Sequence, residues 1–335
     1  MAQQEMQEEI LWRQKSRQTW LKEGDKNTRF FHKATIQHRQ QNIVSRLKTP
    51  SGQIVEKQAD IESNLVHFYS ELLKEPKEAS NEDIQAITRY IPKPVTQDQN
   101  ITLKRKIERM QVEEAIFQME KGKAPGPDGF TIDFFQNYWD LVKEELWEVV
   151  EESRGTKRVL KAFNATFLSL IPKEQGADSP GKFQPISLCN MVLKIITKVM
   201  ANCLKPIMSN LVSQEQSRFV EGRQILDGII LTQELIHSLK QTKQLGMMIK
   251  VDIEKAVNKV SWHFLKEILV AYRFQHDWVR WIGNLVSSTI FSIIVNEAPT
   301  VTFPTTRGLK QGDPLSTFLF IILAEGLGRA LKAKR

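Results

Sequence analysis

The chain has 335 residues, 41% of them hydrophobic, enough for one large packed domain or two smaller ones, which excludes disorder of the whole. Its 47 Lys and Arg against 39 Asp and Glu give a formal charge of +8, a balance that favours an anionic partner. Cys189 and Cys203 are the only cysteines and have no paired spacing, so neither a disulfide framework nor a zinc cluster is supported and a reducing compartment is expected.

The first residues, "MAQQEMQEEILWRQKSRQ", are polar and lack the apolar centre of a signal peptide. The longest apolar run, Phe318 to Ala324, falls well short of the roughly 20 residues that cross a bilayer. An intracellular protein without a membrane segment is therefore expected. From Trp12 to Lys48 the cations, beginning with Arg13, Lys15, Arg17 and Lys22, face only Glu23 and Asp25 as acids, with Trp12, Trp20, Phe30 and Phe31 interleaved. Such a segment grips a phosphate backbone while its aromatics stack, or it is a solvated helix with an aromatic stripe on the core. Residues 1–50 are read as a basic helical arm. "TPSGQIV" then marks a turn, Ile61 to Leu73 an amphipathic helix, and a Pro-containing stretch runs to Pro94; residues 51–110 are read as a connector.

From residue 111 the signals sharpen. "QVEEAIFQMEKGK" has a helix face at Val112, Ile116 and Met119, and the prolines and glycines of "APGPDGF" break it. A helix through "FFQNYWDLVKEELWEVVEE" follows, then a short strand, "ATFLSLIPK", ending in Lys173. "PISLCNMVLKIITKVMANCLKPIM" and "ILDGIILTQELIHSLK" read as helices and "GMMIKVDI" as a buried strand. Helices are expected from Trp262 to Phe274 and Trp278 to Val286, then a hairpin in "SIIVNEAPTVTF" turning at Asn296. Pro314 opens a long apolar helix. Sheet and helices in mixed order make an α+β domain of residues 111–335. Gly176 to Lys182, "GADSPGK", has the spacing of a phosphate-binding loop, but Phe183 stands where the magnesium-holding hydroxyl belongs and "QPI" cannot open a helix.

For chemistry, the strand end at Asp252 and the turn in "KQGDPLS" stand out. A carboxylate at a strand terminus beside the Ile253 carbonyl offers two hard oxygen donors suited to magnesium. Taken in order, "GKAPGPDGF", "LSLIPK", "FQPISLCN", "QSRFVEGR", "KVDIEKAVNKVSW" and "GLKQGDPLSTFLFIIL" resemble the reverse transcriptase domain of non-LTR (LINE-type) retrotransposons, those of plants in particular. "WRQKSRQTWLKEGDKNTRFFH" resembles the segment that joins endonuclease to polymerase in those proteins.

The resemblance implies a helix-rich, right-hand polymerase-like fold with fingers and part of a palm. It also implies two-metal nucleotidyl transfer with Mg2+, acting on an RNA template, a DNA primer and deoxynucleoside triphosphates, in nucleus and cytoplasm. Asp252 matches the first metal-binding carboxylate, with Ile253 beside it. Lys173 matches the basic residue that meets the incoming triphosphate, and Gln311 and Gly312 the turn against the nascent base pair. Arg223 and the "GPDG" loop match nucleic-acid contacts.

Three positions depart from the family pattern: Gln184 replaces an arginine, Val257 the aromatic that blocks a ribose 2′-hydroxyl, and Asn258 an aspartate. The family's Ala-Asp-Asp does not occur, and only 19 residues follow Ser316. If the missing electrostatic stabilisation is about 5 kcal/mol, the rate falls by roughly four powers of ten. The leading expectation is an inactive, truncated polymerase copy that binds magnesium weakly, with unpaired strand edges and an uncovered apolar face. The alternatives are a fragment of an active polymerase and a non-enzymatic nucleic-acid-binding protein.

Overall fold

The computed structural model describes residues 28–77, 80–92, 94–217, 219–243 and 245–333. The expectations for Arg13, Lys15, Arg17 and Lys22 lie outside these residues. Helix α1 (Thr28–Asn42) leads into an antiparallel pair, β1 (Leu47–Lys48) and β2 (Ile54–Val55). Helix α2 (Gln58–Leu72) carries Ile61, Leu65 and Tyr69 four residues apart on one buried face. Three short helices follow: α3 (Asn81–Thr88), α4 (Gln97–Lys104) and α5 (Arg109–Phe117). The "APGPDGF" loop breaks the helical run as its prolines require, and α6 (Ile132–Asn137) and α7 (Trp139–Thr156) come next, separated at Tyr138.

The sheet is built from β3 (Ala165–Pro172), β4 (Phe183–Cys189), β5 (Ile290–Val295), β6 (Ala298–Pro299) and β7 (Phe303–Pro304), in the order β4-β3-β5-β6 with β7 also on β5. β3 and β5 run parallel, and the other pairs are antiparallel. The β5–β6 turn has Asn296 and Glu297 at φ 50 and 72°, the left-handed pair that a two-residue hairpin needs. Helices α8 (Met191–Leu204), α9 (Met208–Leu211) and α10 (Ile225–Gln241) lie between β4 and β5 in the chain, with α11 (Trp262–Ala271) and α12 (His276–Ser287). α13 (Pro314–Lys332) closes the fold.

Two apolar cores result. The smaller joins α2 to the sheet through Leu65, Tyr69, Leu168, Phe183 and Phe291; the larger gathers α5, α7, α8, α11, α12 and α13. α13 is long and apolar enough to cross a membrane, but half of its apolar stretch is buried as it packs on α8, α3 and α11. It serves here as a core helix.

Two elements differ from expectation. "PISLC" belongs to strand β4, not to the helix that follows. Its alternate residues Phe183, Pro185, Ser187 and Cys189 are buried, and β4 is an edge strand, where a proline such as Pro185 is tolerated. Residues 247–253 form no strand: they are exposed and unpaired, with Met247 84% and Val251 75% accessible. A strand needs a neighbour to bond to, and among the described residues none lies alongside.

Candidate nucleotide and nucleic-acid site

The β3–β4 hairpin delivers the first cation. Lys173 follows the last β3 residue, and its N–H donates to the Lys182 carbonyl at 2.9 Å, closing the hairpin mouth. Lys182 is neutralised by Glu174 at 2.8 Å and Asp178 at 3.0 Å. Lys173 is exposed and has no ion-pair partner among the described residues. The phosphate-loop spacing of 176–182 is occupied by this ion-paired turn and a single 3-10 turn, Pro180–Lys182, that runs straight into β4, so no α-helix N-terminus stands there to cradle a phosphate.

The "KQGDPLS" turn sits on the free edge of β4. The Ser187 N–H donates to the Gln311 carbonyl at 2.8 Å. Gly312 has φ 108°, and a Cβ there would lie 3.3 Å from the Ser187 carbonyl oxygen. Asp313 caps α13 by accepting from the Leu315 and Ser316 N–H groups, each at 3.1 Å, and accepts from Thr197 Oγ1 at 2.6 Å. Lys310 is buried, its ammonium donating to Asn164 Oδ1 and to the Leu285 carbonyl. Burial pushes its pKa down, with Cys189 and Asp313 opposing the shift. Gln311 and Gly312 are thus held by β4 on one side and by a buried polar network on the other.

A third strand of contacts ties this turn to the segment after Asp252. The Leu309 N–H donates to the Val257 carbonyl at 2.9 Å, the Gly308 N–H to Val260 at 2.8 Å, and Trp262 Nε1 to Gly308 at 2.7 Å. Val257 packs half-buried against the larger core, and Asn258 is buried. Upstream of this anchor the chain runs out into solvent. Asp252 and Ile253 are exposed, and the Ile253 carbonyl accepts from the Ala256 N–H at 3.3 Å, so this oxygen already has a donor.

Lys255 is the residue that motif reading missed. It takes the left-handed conformation at φ 53°, and its ammonium lies 4.4 Å from the centre of the Phe68 ring, a cation–π contact. Burial lowers its pKa; Glu254 opposes the shift, and repulsion from Lys173 and Lys259 adds to it. The fold therefore sets Lys255 within electrostatic reach of Lys173. No periodic signal marks this, because the two lysines come from segments far apart in the chain.

Other expected site groups turn inward. The Arg223 guanidinium donates to the backbone carbonyls of Val212, Ser213 and Gln216, so it braces the loop after α9. In the "GPDG" loop, the Asp128 N–H donates to Asn190 Oδ1 at 3.0 Å. Gly126 lies so close to the Cys189–Asn190 backbone that a Cβ would fall 2.4 Å from it. This loop clamps the start of α8.

The donor set does not fit a two-ion centre. Among the described residues, no three or more His, Cys, Asp or Glu side chains converge as a metal site, and the exposed Asp252 has no second carboxylate cluster beside it. Two dications require several carboxylates.

Residues 171–335 match the family described as reverse transcriptase (RNA-dependent DNA polymerase). With the hairpin mouth and the "QGDP" turn in place, the chain carries a reverse transcriptase domain homologous to those of non-LTR retrotransposon proteins. Similar curated proteins are the transposon TX1 uncharacterized 149 kDa protein of Xenopus laevis, 27% identical over 311 residues and 93% of this chain, and the retrovirus-related Pol polyprotein of the type-1 retrotransposable element R2 of Nasonia vitripennis, 24% identical over 215 residues and 63% of this chain. The chain spans 24% and 20% of the lengths of these two relatives.

Proposed function

We propose that the chain forms the fingers and the N-terminal part of the palm of an RNA-directed DNA polymerase from a LINE-type element of the plant kind. The hairpin mouth receives a deoxynucleoside triphosphate, while an RNA template and DNA primer lie across the Gln311–Gly312 turn. The observation that carries this reading is Lys173, exposed at the mouth of the β3–β4 hairpin and without an ion-pair partner among the described residues, with Lys255 within its electrostatic reach. Cations placed in one such mouth suit a polyphosphate. The residues N-terminal to α1 act as a further grip on the nucleic-acid backbone.

Reverse transcriptases use divalent ions, which when bound would supply charge stabilisation for phosphoryl transfer. This chain's own residues hold and orient the triphosphate and the base pair, and Asp252 supplies a single carboxylate. The isolation of Asp252 favours a second reading, that these 335 residues bind template and nucleotide without extending a primer.

Photoreactive dTTP tests the first reading. Labelling is expected at the hairpin mouth, reduced about tenfold or more by Lys173→Gln and by Lys255→Gln, since each substitution removes one charge-assisted hydrogen bond to phosphate. Labelling indifferent to both substitutions sinks it. In the same preparation, primer extension with magnesium is expected to stay at background; robust extension abolished by Asp252→Ala sinks the second reading.

A further inference from the structure

A cleft of about 780 Å³ opens beside the C-terminal end of α7, between the loop 157–164 and α12. This is the size of a small-ligand or short-chain site. β3 begins at Ala165 and Lys173 follows its last residue. Eight residues at about 3.3 Å each set the cleft roughly 25 Å from the hairpin mouth. Arg158, Lys161 and Arg280 line it, Glu152 is the one carboxylate in the lining, and Leu160 and Phe163 form an apolar wall.

The cations here divide into two groups. Arg154 pairs with Glu151 and donates to the Lys104 carbonyl at 3.0 Å; the Lys157 ammonium donates to the Arg154 carbonyl; Arg280 pairs with Asp277 at 3.0 Å. The first two cover the ordinary needs of helix C-termini, where cations meet free carbonyls and the negative end of the dipole, and Arg280 is held by a carboxylate within α12. Arg158 and Lys161 are exposed, and among the described residues their side chains meet neither a carboxylate nor a carbonyl. Beside them Leu160 is 67% accessible and Phe163 half-buried. Free cations next to an exposed apolar and aromatic surface match one ligand chemistry: phosphates on the cations, base faces on the wall.

We propose that this cleft is a binding site for single-stranded nucleic acid, separate from the hairpin mouth. It lets the domain hold a strand at the far end of the sheet from the nucleotide. The site goes beyond the polymerase reading and does not depend on it.

The test is a salt titration of the full chain with fluorescent 12-mer oligo(U) and oligo(dT). The double substitution Arg158→Gln with Lys161→Gln should make the slope of log affinity against log salt shallower by about 1.4, since each single-strand phosphate contact contributes about 0.7. Lys57→Gln with Lys266→Gln, two exposed lysines before α2 and on α11, should keep the parent slope. Oligo(U) carrying 4-thiouridine should crosslink to residues 158–163. A weakening for oligo(U) alone assigns the site to RNA, and an equal weakening for both oligomers to strands of either sugar. An unchanged slope in the Arg158/Lys161 double variant overturns the proposal. So does poly-glutamate of matched charge binding as tightly as the oligonucleotides, because that would leave the apolar wall without a role. Since dTTP labelling reads the hairpin mouth, failure of either proposal is visible apart from the other.

Discussion

Lys310 shows how a single buried cation holds the turn that presents Gln311 and Gly312. Its partners, Asn164 and the Leu285 carbonyl, are polar but uncharged, so the ammonium stays costly and its pKa falls below the ordinary 10.5. Between that depressed value and 10.5 the unfolded chain holds more protons than the folded one, and stability rises with pH across this window. Below the window the full penalty is present. Lys310→Met removes the charge while Asn164 Oδ1 keeps its bond from Thr289 Oγ1 at 3.2 Å. The variant should therefore be more stable than the parent by about 1 kcal/mol at pH 7, within the range seen when buried ions are replaced by apolar groups. Urea titrations at pH 7 and pH 10 should show the gap narrowing; a constant gap would contradict the assignment. Asn164 is itself a warning about reading residues one at a time. In sequence it is only the first residue of a glycosylation-like triplet, whereas in the fold it is fully buried and also donates to the Leu285 carbonyl and Ser288.

At the scale of elements, the close approach of the "QGDP" turn to β4 can be isolated with glycines. Gly312→Ala meets both a left-handed backbone and an oxygen at 3.3 Å, whereas Gly129→Ala meets φ 76° with nothing within 4 Å. The Gly129 variant should lose about 1 kcal/mol, the cost of the backbone conformation alone. The Gly312 variant should lose about 1–3 kcal/mol more, through crowding at Ser187. Equal losses in thermal or urea unfolding would mean that the turn yields freely and is not welded to the strand. Elements whose own residues set their period were legible: β3 by alternation, α12 by its apolar face, α13 by Pro314 at its start. β4 was masked because the apolar run continues from Leu188 into Met191 and Val192, so strand and helix share one stretch. The motif residues of the site were likewise legible singly. That Lys255 comes within electrostatic reach of Lys173 was not, because it depends on how two distant segments pack.

At the scale of the whole molecule, many large apolar side chains lie outside the two cores, on α10 and in the segment beyond it. Leu226, Ile229, Ile230, Leu231 and Leu235 of α10 are exposed, as are Leu245, Met247, Met248, Ile249, Val251 and Ile253 beyond it. A run this apolar reads as a buried strand from composition, but a strand needs a neighbour alongside it, and among the described residues there is none. Unpaired N–H and C=O groups beside exposed aliphatic side chains form a template for another strand. Hydrogen exchange at two protein concentrations follows the consequence directly. In dilute solution residues 245–253 should exchange near the intrinsic rate. The amides of α8, whose apolar side chains are almost all buried, should exchange at least about a thousandfold more slowly, as local and global opening differ. Raising the concentration should protect 245–253 and enlarge the particle seen by size-exclusion chromatography, because a second copy supplies the missing edge. Strong protection of 245–253 in a dilute monomer would instead mean that the segment finds its partner within the chain, and that Asp252 sits on an ordered strand after all.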